Sequence, residues 1–128
     1  MKISAVDQSP IFSNTNADQA IRETKDLAIY CDSLGLNRFW LAEHHGSNSF
    51  AGCSPEILIP SLAAQTESIR VGSGGVMLMH YSPYKVAENF RLLESLFPNR
   101  IDLGLGRAPG SDAYQAGCLL YTSDAADE

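Results

Sequence analysis

Short apolar runs alternate along the chain with longer stretches of helical period. Lys2–Asp7 (KISAVD) is apolar-rich and closed by Pro10, the pattern of a strand. Ala20, Ile21, Thr24, Leu27, Ala28, Cys31 and Leu34 then share one helical face. Gly35 supplies a C-cap for that helix, and Asn16 or Thr15 an N-cap. Asn37–Ala42 (NRFWLA) reads as the second strand, with Phe39 and Trp40 both assigned to the core. Ser54-Pro55-Glu56 joins a capping residue, a first-turn proline and an acidic side chain near the positive helix end. The helix it opens runs through Ile57, Leu58 and Leu62 to about Thr66, with a kink expected at Pro60, which has no N–H to donate. Ser68–Gly74 (SIRVGSG) is the third strand, reaching Leu78 at most. Ser82-Pro83 repeats the capping device before a helix that ends near Phe97, with Val86, Phe90, Leu93 and one of Leu96 or Phe97 inward. Arg100–Gly104 (RIDLG), extending to Gly106 at most, is the fourth strand.

The strands begin near residues 2, 38, 69 and 100, at intervals of 36, 31 and 31, each the length of a βαβ unit. Strict alternation of strand and helix predicts an α/β fold with a parallel sheet covered by helices. A doubly wound sheet and a (β/α)8 barrel both satisfy it, and both place function at the carboxyl ends of the strands.

Composition changes this picture at one place. Residues 118–128 (CLLYTSDAADE) follow neither period, and the whole run of eleven resembles the translation of a sequencing-library adapter. They are set apart as a non-native tail, which leaves 1–117 as the native segment. The formal charge of −6 then becomes −3, and the cysteines reduce to Cys31 and Cys53. Neither value suits a nucleic-acid binder that neutralises phosphates, a disulfide framework or a zinc site. No apolar run is long enough to span a membrane, and the N-terminus has no secretory h-region. Two unpaired cysteines fit the cytoplasm.

Polar and glycine residues gather at the strand ends. Glu43-His44-His45 follows strand two, and an imidazole there can move a proton near neutral pH. Alternation keeps His44 and His45 from pointing the same way, so no metal site is expected. A packing pair is the competing reading. Gly72-Ser73-Gly74-Gly75 allows a flat ligand to approach the backbone, or a bulge that closes a barrel. Arg107, after strand four, either holds an anion or pairs with Asp112. His80-Tyr81-Ser82-Pro83 reads as a structural turn and cap.

DQSPI at 7–11, FWLAEHH at 39–45 and RVGSGGVMLMHYSPYKVAENFRLLESLFPNRIDLGLGRAPGSD at 70–112 together resemble the bacterial-luciferase-like, flavin-dependent monooxygenases, in the single-chain branch. The resemblance implies the N-terminal half of a (β/α)8 TIM barrel, about four parallel strands and three helices, of a fold that takes about 250 residues. It implies reduced FMN, supplied by a separate NAD(P)H-dependent flavin reductase, and O2 as co-substrate for oxidation of a small organic molecule. Carried over by position, His44 is the catalytic histidine and manages protons. Glu43 and His45 orient it beside the cofactor. Gly74-Gly75, often joined by a cis peptide in the family, lies by the flavin ring. Ala42 and Val76 line the ring, and Arg107 holds the flavin. Gly106 stands where luminescent members tend to carry Cys, which argues against light emission. An F420-dependent reductase and a non-catalytic flavin-binding protein are the alternatives on the same fold. The full-length protein is a candidate homodimer. The segment by itself, with open sheet edges, is expected to lack activity and useful FMN affinity.

Overall fold

A computed structural model describes residues 1–124. Four parallel strands, β1 (Ser4–Asp7), β2 (Arg38–Leu41), β3 (Arg70–Met77) and β4 (Ile101–Gly106), lie side by side in chain order. Between them run α1 (Ala17–Ser33), α2 (Pro55–Ala63) and α3 (Pro83–Leu96), and α4 (Ala113–Asp124) follows β4. The strand order never reverses, as it would at the switch point of a doubly wound sheet. α1 touches α2, and α2 touches α3, so these helices cover one face. This is the first half of a (β/α)8 barrel. β1 and β4 are its unpaired edges among the described residues.

The two faces of the sheet differ in chemistry. Phe39, Leu41, Val71 and Ile101 meet Ala28, Cys31, Ile59, Leu62, Val86, Phe90 and Leu93 in one buried core under the helices. Trp40, expected to join them, does not. Successive strand residues face opposite ways, so Phe39 is fully buried while Trp40 is half-buried on the inner face. Its indole lies across the strand glycines: a Cβ on Gly72 would come within 3.0 Å of the ring, and one on Gly74 within 2.9 Å of the Trp40 Cβ. Part of the glycine run therefore makes room for a side chain of this chain. At the amino ends of the strands, Asp102 on the same inner face accepts from Arg38 Nε at 2.9 Å and from Arg70 Nε and Nη2 at 2.8 Å each.

Several boundaries depart from the expected pattern for visible reasons. Asn16 caps α1 by accepting from Gln19 N–H at 2.9 Å. The buried stripe of α1 is Ala20, Thr24, Ala28 and Cys31, whereas Leu27 and Leu34 are exposed. Leu27 lies instead in an open recess with Phe12, Pro10 and Tyr30. α2 stops at Ala63, short of Thr66. The chain is then drawn toward β3 because the Asp32 carboxylate accepts the N–H groups of Glu67, Ser68 and Ile69. Pro60 is accommodated inside α2, and Ser54 occupies its N-cap position without a side-chain bond. At the end of α3 it is Phe97 that packs against the core, and Leu96 is exposed.

The fourth helix was not among the three expected. Asp112 opens it, its Oδ1 accepting from Gln115 N–H at 2.9 Å. Each further residue then adds a hydrogen bond at little extra cost, so the helix continues past Cys118 to Asp124 although that stretch shows no amphipathic period. The end of the 118–128 tail, residues 125–128, lies outside the described residues.

Candidate functional site

The parallel register brings the carboxyl ends of β2, β3 and β4 together. Leu41 pairs with Ser73, and Met77 with Gly106, so 42–45, 74–77 and 107–110 emerge at one end of the sheet. Glu43 is the best-held of these residues. It is 2 % exposed. Its Oε2 accepts from Met77 N–H at 2.9 Å, and its Oε1 accepts from the Tyr81 hydroxyl and lies 2.6 Å from His45 Nε2. The Tyr81 oxygen is 3.2 Å from the same imidazole nitrogen. Burial, reinforced by the bond to Glu43 and its negative charge, pushes the Tyr81 phenol well above its ordinary pKa. It stays a proton donor across the neutral range. Burial likewise raises Glu56, which also feels the charge of Glu43.

His44 is separate from this network. Its ring stacks on Phe50 with centroids 4.4 Å apart and an interplanar angle of 27°. Its backbone N–H donates to Gly52 O at 2.9 Å, and its buried Nδ1 has no partner among the described residues. The two histidines thus diverge, as expected, although they lie beyond the end of β2 at Leu41. The side chains of Glu43 and His45, expected to orient His44, bond to each other and to Tyr81. The Glu43 side chain has no exposed surface, and both its oxygens are engaged within the chain.

The Gly74–Gly75 peptide is cis. A Cβ on Gly75 would lie 2.9 Å from Gly104 O, so the backbone of β4 leaves no room for a side chain there. Ala42 is half-buried, its N–H donating to Asp7 O at 3.0 Å. Val76 does not line the open end with its side chain. The register shift between Ser73 and Val76 turns it into the core with Val86 and Phe90. Arg107 is exposed at the rim of an open recess of about 840 Å³ lined by Leu78, Met79, Pro83, Leu105 and Gly106. Its suggested partner Asp112 caps α4 instead. Among the described residues Arg107 has no ion pair.

Two residues assigned to a structural turn belong to this end as well. His80 is buried, and its Nε2 donates to Pro109 O at 2.7 Å, leaving Nδ1 without a partner among the described residues. Tyr81 holds Glu43. Their position directly after a parallel strand was the available signal, since every such end faces the same side. A third cluster, also missed, lies at the end of β1: Thr24 Oγ1 is 2.6 Å from Asp7 Oδ2 and 2.8 Å from Ser9 Oγ, all buried.

A family model described as luciferase-like monooxygenase matches residues 1–118. The chain belongs to the luciferase-like monooxygenase family. It is 50% identical over 121 residues to the N-acetyl-S-alkylcysteine monooxygenase of Bacillus subtilis (strain 168), covering 91% of this chain and 36% of that one. Among solved structures it resembles apo-MsnO8, with a TM-score of 0.90 and 47% identity over 93% of this chain and 36% of the other. At 24% identity, a TM-score of 0.82 relates the fold to the oxygenating constituent of 3,6-diketocamphane monooxygenase from Pseudomonas putida, solved in complex with FMN, over 94% of this chain and 32% of that one. The chain spans about a third of the length of the curated relatives it matches. Among the described residues no helix is long and apolar enough to cross a membrane.

Proposed function

We propose that this luciferase-like segment supplies the first strand ends of an FMN-dependent monooxygenase that oxidises a small organic substrate with O2. One observation carries the reading. At the carboxyl ends, where the cis Gly74–Gly75 peptide bears no side chains of its own, the buried Nδ1 of His44 and the exposed guanidinium of Arg107 have no partner among the described residues. That arrangement fits a flat, anionic cofactor: the guanidinium is a bidentate donor for an anionic oxygen, and the Gly74–Gly75 peptide, packed on Trp40 and on β4, presents backbone rather than side chains. Reduced FMN bound there supplies the electrons that activate dioxygen. His44 is the proton-handling group, held by its stack on Phe50. Glu43, His45 and Tyr81 keep the neighbouring backbone in place. A separate NAD(P)H-dependent flavin reductase, a homodimer of the full-length protein and a cytoplasmic location complete the reading. So does a foreign origin for residues 118–128, supported by a family match that runs to residue 118.

The test uses a barrel-length chain in which residues 1–117 are joined in register to the rest of the B. subtilis N-acetyl-S-alkylcysteine monooxygenase. Fluorescence titration is expected to give FMN binding near the micromolar level, about −8 kcal/mol, and the 128-residue chain is expected to give none. Reduced FMN with an N-acetyl-S-alkylcysteine should consume oxygen, and His44→Ala should abolish product while leaving FMN bound. Preference for F420 without oxygen uptake would replace this reading with a deazaflavin reductase. Unchanged turnover in His44→Ala would remove the histidine from it.

A further inference from the structure

Hydrogen bonds and the chain itself close into a ring at the carboxyl ends. Tyr81 donates to Glu43 Oε1, and His45 Nε2 lies 2.6 Å from that oxygen. The backbone N–H of His45 donates to Gly110 O at 2.8 Å. Pro109, next in the chain to Gly110, accepts from His80 Nε2 at 2.7 Å, and His80 is bonded to Tyr81. A spoke from Glu43 Oε2 to Met77 N–H, 2.9 Å long, ties the ring to the last residue of β3. The ring therefore spans the ends of β2, β3 and β4. It passes beside every group proposed to meet the cofactor. His44 lies between Glu43 and His45, Gly75 is two residues before Met77, and Arg107 is two residues before Pro109.

Segments that leave a sheet are mobile unless something holds them. Hydrogen bonds in a part-buried network stiffen it, because each bond polarises the next and losing one strands its partner in low dielectric; His80 Nδ1 stays outside the ring, without a partner among the described residues. Small misplacements of reacting groups carry large rate costs. We infer that His80 and Tyr81 are positioning residues: through this ring they hold the His44 and Arg107 segments in register on either side of Gly74–Gly75. The inference rests on the flavin reading above for what is positioned, but not for the existence of the ring. Tyr81 acts on the β2 end and His80 on the β4 end, so two adjacent residues couple two loops that do not bond through their own side chains.

Two measurements test it. In the 128-residue chain, amide hydrogen exchange is followed at 43–46 and at 107–112. Tyr81→Phe keeps the ring's shape and removes one donor. It should speed exchange several-fold at both segments, although Tyr81 touches only the first. His80→Leu should do the same, and His80→Gln, which restores a donor near the Nε2 position, should recover most of the protection. In the barrel-length chain, Tyr81→Phe and His80→Leu should each weaken FMN binding by about tenfold, the size of one hydrogen bond to a buried group. His80→Gln should again recover it, with far-UV dichroism unchanged throughout. Acceleration confined to 43–46 in Tyr81→Phe would overturn the ring as a coupling device, as would equal FMN affinity in all four proteins. Failure of the unsubstituted barrel-length chain to bind FMN would instead overturn the flavin reading, and the exchange data would still decide whether the two loops are coupled.

Discussion

The two ends of the sheet are built on opposite principles. At the amino ends, charged groups find partners inside this chain. Asp102 bridges Arg38 and Arg70, and Arg70 also donates to the Ile101 and Asn99 carbonyls. The Arg100 guanidinium reaches the carbonyls of Thr66, Glu67 and Ile69, and Asp32 holds the three N–H groups of the turn before β3. Asn37 Nδ2 is the one buried side-chain group left over there among the described residues. At the carboxyl ends the backbone is held as firmly, but among the described residues His44 Nδ1, His80 Nδ1 and the Arg107 guanidinium have no partner. One end uses its polar groups to stabilise the fold. The other uses some to hold the backbone and leaves others unpaired among the described residues, the division expected of a barrel whose chemistry sits at the carboxyl face.

The sharpest way to break that contrast is at Asp102. Asp102→Ala leaves two arginines facing each other on the inner face. Partial exposure of all three side chains reduces the cost of about 3–5 kcal/mol expected for a fully buried pair to about 2 kcal/mol. Urea unfolding of the 128-residue chain measures it, and a loss below about 0.5 kcal/mol, the range of ordinary surface changes, would remove the network from the account of stability. The same end should set the acid limit. Against the desolvation that raises them, Arg70 and Arg38 hold Asp102 below the usual carboxylate range, and the turn's N–H groups hold Asp32 there too. A carboxylate with a lowered folded pKa contributes stability above its unfolded pKa of about 4, and that stability is lost as pH falls through the folded value. Stability should therefore decline below about pH 4, and less steeply in Asp102→Asn. A decline equally steep in that variant would assign acid sensitivity elsewhere.

What was legible in the sequence follows the same division. Alternation of period placed the strands, and the proline and capping residues placed α2 and α3, because those signals are local. The placement of His44, Gly74, Gly75 and Arg107 at one end followed from parallel topology alone. Trp40 was misplaced because apolar character does not say which face a residue takes, and the glycines that receive it lie on other strands. His80 and Tyr81 were missed as site residues because their partners, Pro109 and Glu43, are 29 and 38 positions away and meet them only across strand ends. α4 was missed because a helix can propagate from a good cap without an amphipathic pattern.

At the carboxyl end the effects should fall on binding rather than on folding. Arg107→Ala removes an exposed guanidinium that has no ion pair among the described residues. Its unfolding free energy in the 128-residue chain should stay within about 0.5 kcal/mol of the parent. In the barrel-length chain FMN affinity should fall by about tenfold or more, as for loss of a charge-assisted hydrogen bond. A stability loss comparable to that of Asp102→Ala, with FMN affinity intact, would invert the comparison.

A substitution that costs the fold nothing is the most discriminating. His44→Phe keeps an aromatic ring against Phe50 and removes a buried nitrogen that has no partner among the described residues. Stacking between two aromatic rings is retained, and a desolvated polar atom is exchanged for carbon, which relieves a cost rather than adding one. The variant should therefore be as stable as the parent or more stable by up to about 1 kcal/mol. A histidine kept only for packing gains nothing from that nitrogen, so such a substitution would be neutral or favourable in every assay. A histidine kept for proton handling is held at a cost to the fold, and the same substitution should abolish oxygen-coupled turnover in the barrel-length chain while leaving FMN bound. Thermal unfolding and oxygen uptake measured on the same variant separate the two cases. Destabilisation by more than about 1 kcal/mol would mean that Nδ1 has a stabilising role in the intact barrel, and turnover at the parent rate would return His44 to the packing residues.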